Sequence, residues 1–386
     1  MRVAAVGYPL LVERQWALFP EFASRGVETH LLVPKEWADA PDADRPPADA
    51  EFTVHSHRAL FQDRQGAYLL PGAAATLREI DPDVVFVHGE PWDLNTLFVA
   101  GVCRALSTPC AVFTWENLDR VPESGIQQTV ERLTHRLVSG IVAGTEDARD
   151  RIRAAGFQTP VTVAPQTGVD TERFAPSAAD DAALERLGVD PSGPVVLYTG
   201  RLAPEKGLDT LLETVPTVAE RHPDVTYLLV GDGPENAALR ERIEREGLGG
   251  TVVLIDERQP YELMPAIVAS STVFVYPSET TADWAEQFGY SVVEAMSCGV
   301  PPVVSDCGSL PSVVDDAGVV FPEADADALG TEIADLLADD ERYERLSRAS
   351  RERVERSFGL SAVAEAQLDF LGGLVDRTAR SEVEHS

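Results

Sequence analysis

The sequence predicts an α/β protein made of two doubly wound domains, each with a parallel sheet. Short β-branched runs alternate with stretches of helical period, the pattern of parallel strands covered by helices on both faces. The runs form two similar sets, and 386 residues exceed one ordinary core and suit two. Strands are expected in the first set at 3–6, 31–33, 84–87, 111–114, 141–143 and 161–164. In the second set they are expected at 195–199, 227–230, 252–255, 273–276 and 302–305, with 319–321 as an edge strand.

The break between the sets is expected near 170–194, where Phe174-Ala175-Pro176-Ser177 opens a polar stretch that closes at Pro191-Ser192-Gly193-Pro194. The domains are therefore read as 1–175 and 190–355, followed by a helical segment at 356–386 that could cross back to the first domain. Helix is expected after Asp339 to about 375, interrupted near Phe358-Gly359, and 377–386 is read as a frayed tail. Residues 36–49, rich in Ala, Asp and Pro, read as a solvated loop.

Composition narrows the function. With 44% apolar residues and no run of about 18 apolar positions, the chain reads as globular rather than membrane-spanning. Its start reads as a buried strand leading into Gly7, without the cleavage site of a signal peptide. A net charge of -32 repels nucleic acid and anionic headgroups. There are 30 arginines but only two lysines, Lys35 and Lys206, so the surface resembles that of acidic, lysine-poor proteins of salt-loving cytoplasms; codon bias is the other reading. Cys103, Cys110, Cys298 and Cys307 lack C-x-x-C spacing and read as reduced, packed thiols in a cytoplasmic protein.

In open α/β sheets ligands bind beyond the carboxyl ends of strands. The run 195–199 passes into Gly200-Arg201-Leu202-Ala203-Pro204-Glu205-Lys206-Gly207 and then a helix. Two cations beside a helix start make an anion site, and for a diphosphate the arginine fork and the compact ammonium can stabilise a leaving group without a metal ion; a solvated loop is the alternative. The second constellation is Glu286-Gln287-Phe288-Gly289-Tyr290-Ser291-Val292-Val293-Glu294. If Phe288-Gly289 opens a helix, Glu294 lies two turns in and both glutamates can face one ligand, accepting bonds from sugar and ribose hydroxyls. The amides of Gly289 to Ser291 would meet phosphate at the helix N-terminus.

Four features in order carry a resemblance: Gly200-Arg201-Leu202 with Glu205-Lys206-Gly207; Gly231-Asp232-Gly233-Pro234; Pro277-Ser278; and the E-x7-E segment running on to Ala295-Met296 and Gly299-Val300-Pro301. Through these the chain resembles the retaining glycosyltransferases of family 4. The likeness is thinner in the first half, resting on Pro165-Gln166-Thr167-Gly168-Val169-Asp170 and on His88-Gly89-Glu90-Pro91-Trp92. It implies the GT-B fold, two Rossmann-like domains facing a cleft, with acceptor binding in the first and nucleotide-sugar binding in the second. It further implies that Arg201 and Lys206 hold the donor diphosphate, Glu286 contacts the transferred sugar, Glu294 binds the ribose, and Asp256-Glu257-Arg258 lie beside the base. Gly231 and Gly233 are read as serving a tight turn.

The chain departs from the family pattern in places. Gly7-Tyr8-Pro9-Leu10 replaces a double-glycine loop, Glu279-Thr280-Thr281-Ala282-Asp283-Trp284 lengthens the approach to Glu286, and Ser312 stands where a glutamate is common. In the acceptor half His88 is the catalytic candidate at a strand end, with Glu90 as its alternative and Glu116-Asn117 behind them. No metal is expected: Asp81-Pro82-Asp83 precedes its strand, and Asp42-Ala43-Asp44 and Asp325-Ala326-Asp327 sit in acidic surface segments.

The resemblance thus implies transfer of a sugar from a nucleotide-diphosphate donor, with retention, to a glycan, lipid-linked or small-molecule acceptor. No further cofactor and no nucleic-acid partner are expected, and a peripheral visit to the inner face of a membrane stays open. Rival readings are a GT-B epimerase or phosphorylase, or a non-catalytic sugar-nucleotide binder. A nicotinamide oxidoreductase would need G-x-G-x-x-G after an early strand, which is not present.

Overall fold

The computed structural model describes residues 1–37, 50–61, 66–118 and 124–384. Most of the expected loop at 36–49, with Asp42-Ala43-Asp44, lies outside the described residues. The chain divides into two compact units, residues 1–168 with 360–386, and residues 169–359. The division falls ahead of the polar stretch at 170–194 because that stretch packs within the second unit. Phe174 is fully buried and its carbonyl accepts from Ser297 Oγ at 2.6 Å, while Ala183 and Leu184 of the helix Asp181–Arg186 are also buried.

Among the described residues the first unit carries seven parallel strands: β1 (Arg2–Val6), β2 (Glu28–Pro34), β3 (Thr53–His57), β4 (Val84–His88), β5 (Cys110–Thr114), β6 (Gly140–Ala143) and β7 (Val161–Val163), in the order β3-β2-β1-β4-β5-β6-β7. The second carries six: β8 (Val195–Thr199), β9 (Thr226–Val230), β10 (Val252–Ile255), β11 (Val273–Tyr276), β12 (Pro302–Ser305) and β13 (Val319–Phe321), in the order β10-β9-β8-β11-β12-β13. Strands buried on both faces read as continuous apolar runs, and every residue of β4, β8 and β11 is buried. The strand absent from the sequence reading is β3. It is a half-exposed sheet edge of sequence Thr-Val-His-Ser-His, held by full register with β2 and by His30 Nδ1 meeting His55 Nε2 at 3.0 Å.

Residues 360–384 form one helix, so the segment read as a frayed tail from 377 is helical as far as Glu384. Its residues Val363, Ala364, Leu371 and Leu374 join the core of the first unit with Val3, Leu31 and Phe86, and Gln367 Nε2 donates to the Pro165 carbonyl at 2.6 Å.

The order of strands reverses between β1 and β4 and again between β8 and β11. Connections leave in opposite directions at such a point, which opens a crevice beyond the strand ends. In the second unit the loops leaving β8 and β9 are pressed together there. Gly231 and Gly233 serve this contact as well as the expected turn, in which the Gly233 carbonyl accepts from the Asn236 amide at 3.3 Å: a Cβ at Gly231 would lie 1.8 Å from the Gly200 carbonyl oxygen, and one at Gly233 2.1 Å from that of Leu202. Neither glycine has a positive φ.

This contact predicts the outcome of adding a methyl group. Gly231→Ala must push the two loops apart and is expected to cost about 2–3 kcal/mol in denaturant unfolding. Gly249→Ala, whose Cβ meets nothing within 4 Å, should change stability by less than about 0.5 kcal/mol.

Candidate functional site

Arg201 and Lys206 leave β8 on a loop that closes in a 3-10 turn, Pro204–Lys206, before the helix Leu208–Arg221. Gly207 joins turn to helix with φ 63, and a Cβ there would meet the Pro277 carbonyl oxygen at 1.9 Å, so this loop lies directly against the one leaving β11. The Glu279 amide donates to the Glu205 carbonyl at 2.9 Å, and Thr210 Oγ1 donates to Glu279 Oε1 at 2.6 Å, strapping the two loops together.

These straps set the central contact. Lys206 Nζ lies 2.6 Å from Glu286 Oε2 with both side chains about nine-tenths buried. The ammonium also donates to Tyr276 Oη at 3.1 Å, and Ser278 Oγ donates to Glu286 Oε2 at 3.4 Å. Main-chain bonds fix Glu286 in turn: its carbonyl accepts from the Ser309 amide at 2.9 Å and its amide donates to Cys307 Sγ at 3.5 Å. Tyr198 and Tyr276 stack at 5.8 Å beside the pair, and burial together with the Glu286 carboxylate holds both phenols well above their ordinary range. They are hydrogen-bonding hydroxyls rather than titrating groups at neutral pH.

The helix Tyr290–Ser297 begins directly after Gly289, which has φ 77. Glu294 is therefore its fifth residue, one turn in rather than two. It is buried, and its Oε1 accepts from Tyr261 Oη at 2.9 Å, while the Arg173 guanidinium lies 4.5 Å over the Tyr261 ring. Tyr290 and Ser291 are partly exposed at the helix start, but Phe288 is buried and packs edge-on against Phe358 at 5.4 Å. Phe288 thus anchors the turn from within the core.

The remaining expected residues of the second unit are more open. The Arg201 guanidinium is 59% exposed and pairs with Glu205, while its carbonyl accepts from Tyr198 Oη at 2.8 Å. Asp256 follows β10 and pairs with Arg240, whose hydrogen bond and charge hold the carboxyl below its ordinary range; Glu257 and Arg258 are exposed. Sequence reasoning missed Tyr198, inside an apolar strand, Tyr276, which ends one, and Tyr261, which sits in an unremarkable Pro-containing loop. It noted Trp284 only as part of a lengthened segment.

In the first unit β4 delivers His88 and Glu90 to different surroundings. His88 is 1% exposed, its ring packed 4.4 Å from that of Phe86, and its Nδ1 accepts from Gln166 Nε2 at 3.2 Å. Burial pulls the imidazole down to about 3, so it is neutral, and its Nε2 meets no partner among the described residues. Glu90 instead faces the end of β5, where its carboxylate accepts from the Thr114 hydroxyl and, at 3.0 Å, from the Trp115 amide. Asp93 Oδ2 accepts from the Glu90 amide at 3.2 Å, and Glu116, also buried, accepts from the Leu118 amide at 2.9 Å. Burial pushes Glu90 up to about 8 and Asp93 up to about 7, giving two carboxyls able to exchange protons near neutral pH.

The D-x-D pairs have structural duties. Asp81 ends a helix in the left-handed conformation, Asp83 Oδ2 accepts from the Arg2 amide at 2.6 Å, and Asp325 caps the helix Ala326–Ala338. Among the described residues no group of three or more His, Cys, Asp or Glu is placed to hold a metal ion. All four cysteines are buried and free.

The raised carboxyls make stability depend on pH. The folded chain keeps protons that the unfolded chain, with the glutamate near 4.5 and the aspartate near 3.8, has released. Each contribution is complete below its unfolded value and is lost as pH rises through about 8 for Glu90 and about 7 for Asp93. Glu90→Gln should therefore gain on the wild type as pH rises from 5 to 8.5, its melting temperature improving relative to the wild type by about 3 °C or more in parallel thermal melts. A constant difference across that range would contradict the assigned proton.

Comparison with known proteins places the whole arrangement. The family description "Glycosyl transferases group 1" matches residues 180–353, and "Glycosyltransferase Family 4" matches residues 16–173. The GDP-mannose-dependent alpha-(1-6)-phosphatidylinositol monomannoside mannosyltransferase of Mycolicibacterium smegmatis is 37% identical over 189 residues, 48% of this chain and 49% of that protein. In such matches the chain spans about half the length of the curated relatives. The 2-deoxystreptamine N-acetyl-D-glucosaminyltransferase of Streptomyces fradiae is 28% identical over 90% of this chain and 86% of its own. Among solved structures, Anabaena HepE in complex with UDP aligns at TM-score 0.74 and 19% identity, over 97% of this chain and all of that one. A glycosyltransferase from Rickettsia africae aligns at 0.76 and 14%, over 97% and 98%. At such identities the likeness shows the fold, two Rossmann-like parallel-sheet units of GT-B type. With one family description on each unit and this fold beneath them, the chain belongs to the glycosyltransferases of family 4, group 1.

Proposed function

We propose that the chain transfers a glycosyl group from a nucleoside diphosphate sugar to a hydroxyl of a glycan, lipid-linked or small-molecule acceptor, with retention of configuration and without a metal ion. The observation that carries this reading is the buried contact of Lys206 with Glu286 at 2.6 Å, beyond the carboxyl ends of β8 and β11. An ammonium and a carboxylate held together at that place suit a ligand that presents anionic oxygens beside hydroxyls. A sugar diphosphate is such a ligand.

In this reading Lys206 and the exposed Arg201 stabilise the departing diphosphate, and Glu286 accepts hydrogen bonds from the transferred sugar. Glu294, positioned by Tyr261, accepts from the ribose hydroxyls, and residues 256–258 flank the base. The C1–O bond to phosphate breaks as the new C1–O bond forms on the same face. The acceptor proton passes to the departing phosphate oxygen, so both charge and atoms balance. In the first unit Glu90 supports an acceptor role better than His88, being within reach of solvent and carrying a proton near neutral pH, whereas the His88 ring is enclosed.

The named relatives use a lipid-linked and a small-molecule acceptor, which supports leaving both classes open here. We place the protein in the cytoplasm, a reading supported by four free thiols. No helix among the described residues is long and apolar enough to cross a membrane.

Hydrogen bonds to charged groups contribute about 1.5–3 kcal/mol, so Glu294→Gln should weaken UDP or GDP binding about 10- to 100-fold in calorimetry while the melting temperature moves by less than about 2 °C. Equal affinity would remove Glu294 from the site. A donor panel with a lipid extract and sugar acceptors, read by NMR of the anomeric proton, should show the donor's configuration kept in the product. An inverted product, or sugar phosphate released by inorganic phosphate, would overturn the reaction assigned.

A further inference from the structure

Lys206 is one of two lysines in the chain, and its ammonium is held by more than a carboxylate. The centre of the Trp284 ring lies 4.3 Å from Nζ and that of the Tyr276 ring 5.1 Å. We propose that Trp284 is a positioning residue for Lys206, holding the ammonium over its indole face so that the charge stays directed at the donor diphosphate. This rests on the reading of Lys206 as a diphosphate ligand.

The geometry supplies the reason. An ammonium has three donors, of which one meets Glu286 Oε2 at 2.6 Å and another Tyr276 Oη at 3.1 Å. Were Glu286 the sole attraction, the pair would close on itself and neutralise the charge that a phosphate needs. An indole face attracts a cation through its quadrupole, yet neither neutralises it nor competes as a strong acceptor. Lysine also has four flexible bonds to order, about 2 kcal/mol of side-chain entropy, and a ring packed against its tip removes that freedom before the ligand arrives.

Trp284 is in turn fixed to the loop it serves. Its carbonyl accepts from the Thr281 amide at 2.8 Å, and Thr280 Oγ1 donates to Cys307 Sγ at 3.5 Å. At the start of the same segment the Glu279 amide bonds to the Glu205 carbonyl at 2.9 Å, one residue before Lys206. The lengthened segment 279–284 therefore carries the ring and the lysine loop as one unit, which gives the insertion a purpose that the family pattern alone does not.

The test separates an aromatic face from mere volume. Binding of UDP and of GDP is measured by calorimetry for wild type, Trp284→Phe and Trp284→Leu, with thermal melts as a check on folding. We expect Trp284→Leu to weaken binding about tenfold and Trp284→Phe to recover all but about threefold, in the range of a desolvated cation–π contact. Trp284→Leu binding like wild type, or Phe and Leu impaired equally, overturns the inference.

A second measurement needs no nucleotide. The fluorescence of wild type minus that of Trp284→Phe isolates the Trp284 contribution, and the same difference is taken with Lys206→Met and Glu286→Gln together, so that no buried carboxylate is left unpaired. The Trp284 contribution should shift between the two backgrounds; an unchanged contribution overturns the contact. Failure of wild type to bind any nucleoside diphosphate overturns the reading of the site on which the inference rests. Tight wild-type binding with an unimpaired Trp284→Leu overturns the inference alone.

Discussion

The second unit depends on a charge pair kept almost out of water. Moving an ammonium and a carboxylate from solvent into a protein interior costs several kcal/mol per ion, and their attraction offsets this only when geometry is good and the remaining donors are met. At 2.6 Å, with Tyr276 Oη on the ammonium and Ser278 Oγ on the carboxylate, Lys206 and Glu286 meet that condition. Such a pair is weak evidence for stability, since apolar residues of equal volume would hold the core as well. Its placement at a topological switch point is what supports the function proposed for it.

Bringing the pair together requires loops to run closer than side chains allow. Gly207 lets the β8 loop touch the carbonyl of Pro277, and Gly231 lets the β9 loop touch that of Gly200. The first unit repeats the device where β1 meets β4: a Cβ at Gly7 would lie 2.2 Å from the His88 carbonyl oxygen. A single glycine at the close approach thus meets the steric demand at this point of Gly7-Tyr8-Pro9-Leu10. It also encloses His88, which takes Gln166 as partner, whereas Glu90 is only partly buried.

How much was legible in the sequence follows from the same geometry. Strands betray themselves as apolar, β-branched runs, so twelve of the thirteen among the described residues were readable, and β3 escaped because Thr-Val-His-Ser-His is mostly polar. The motif residues around Lys206 and Glu286 were readable because they are compact in sequence. What could not be read was contact between segments: Tyr276 looks like the end of a strand, Tyr261 lies 33 residues before Glu294, and Trp284 gains its meaning from a lysine 78 residues earlier. The burial of Phe288 was not readable for a related reason, since an aromatic beside a glycine gives no sign of which side is core. Its partner Phe358 lies at the far end of the unit's sequence.

The net charge bears on this site as well as on solubility. A surface at -32 opposes the approach of any nucleoside diphosphate, so attraction has to be local. Under the function proposed above, the residues would divide that task by range. Arg201, 59% exposed, extends a charge toward solvent where an arriving anion first meets it, and Glu205 keeps its fork oriented. Lys206 acts only at contact, where low dielectric strengthens a compact charge. Salt shortens the Debye length from about 10 Å at 0.1 M to about 3 Å at 1 M, which quenches the surface repulsion while leaving a buried contact nearly untouched. A buried lysine in a lysine-poor, acidic chain is therefore physically consistent with the proposed site: Lys206–Glu286, like the equally enclosed Arg151–Glu131 of the first unit, is a cation–carboxylate contact that salt barely screens, and it stands where the proposed ligand would bind.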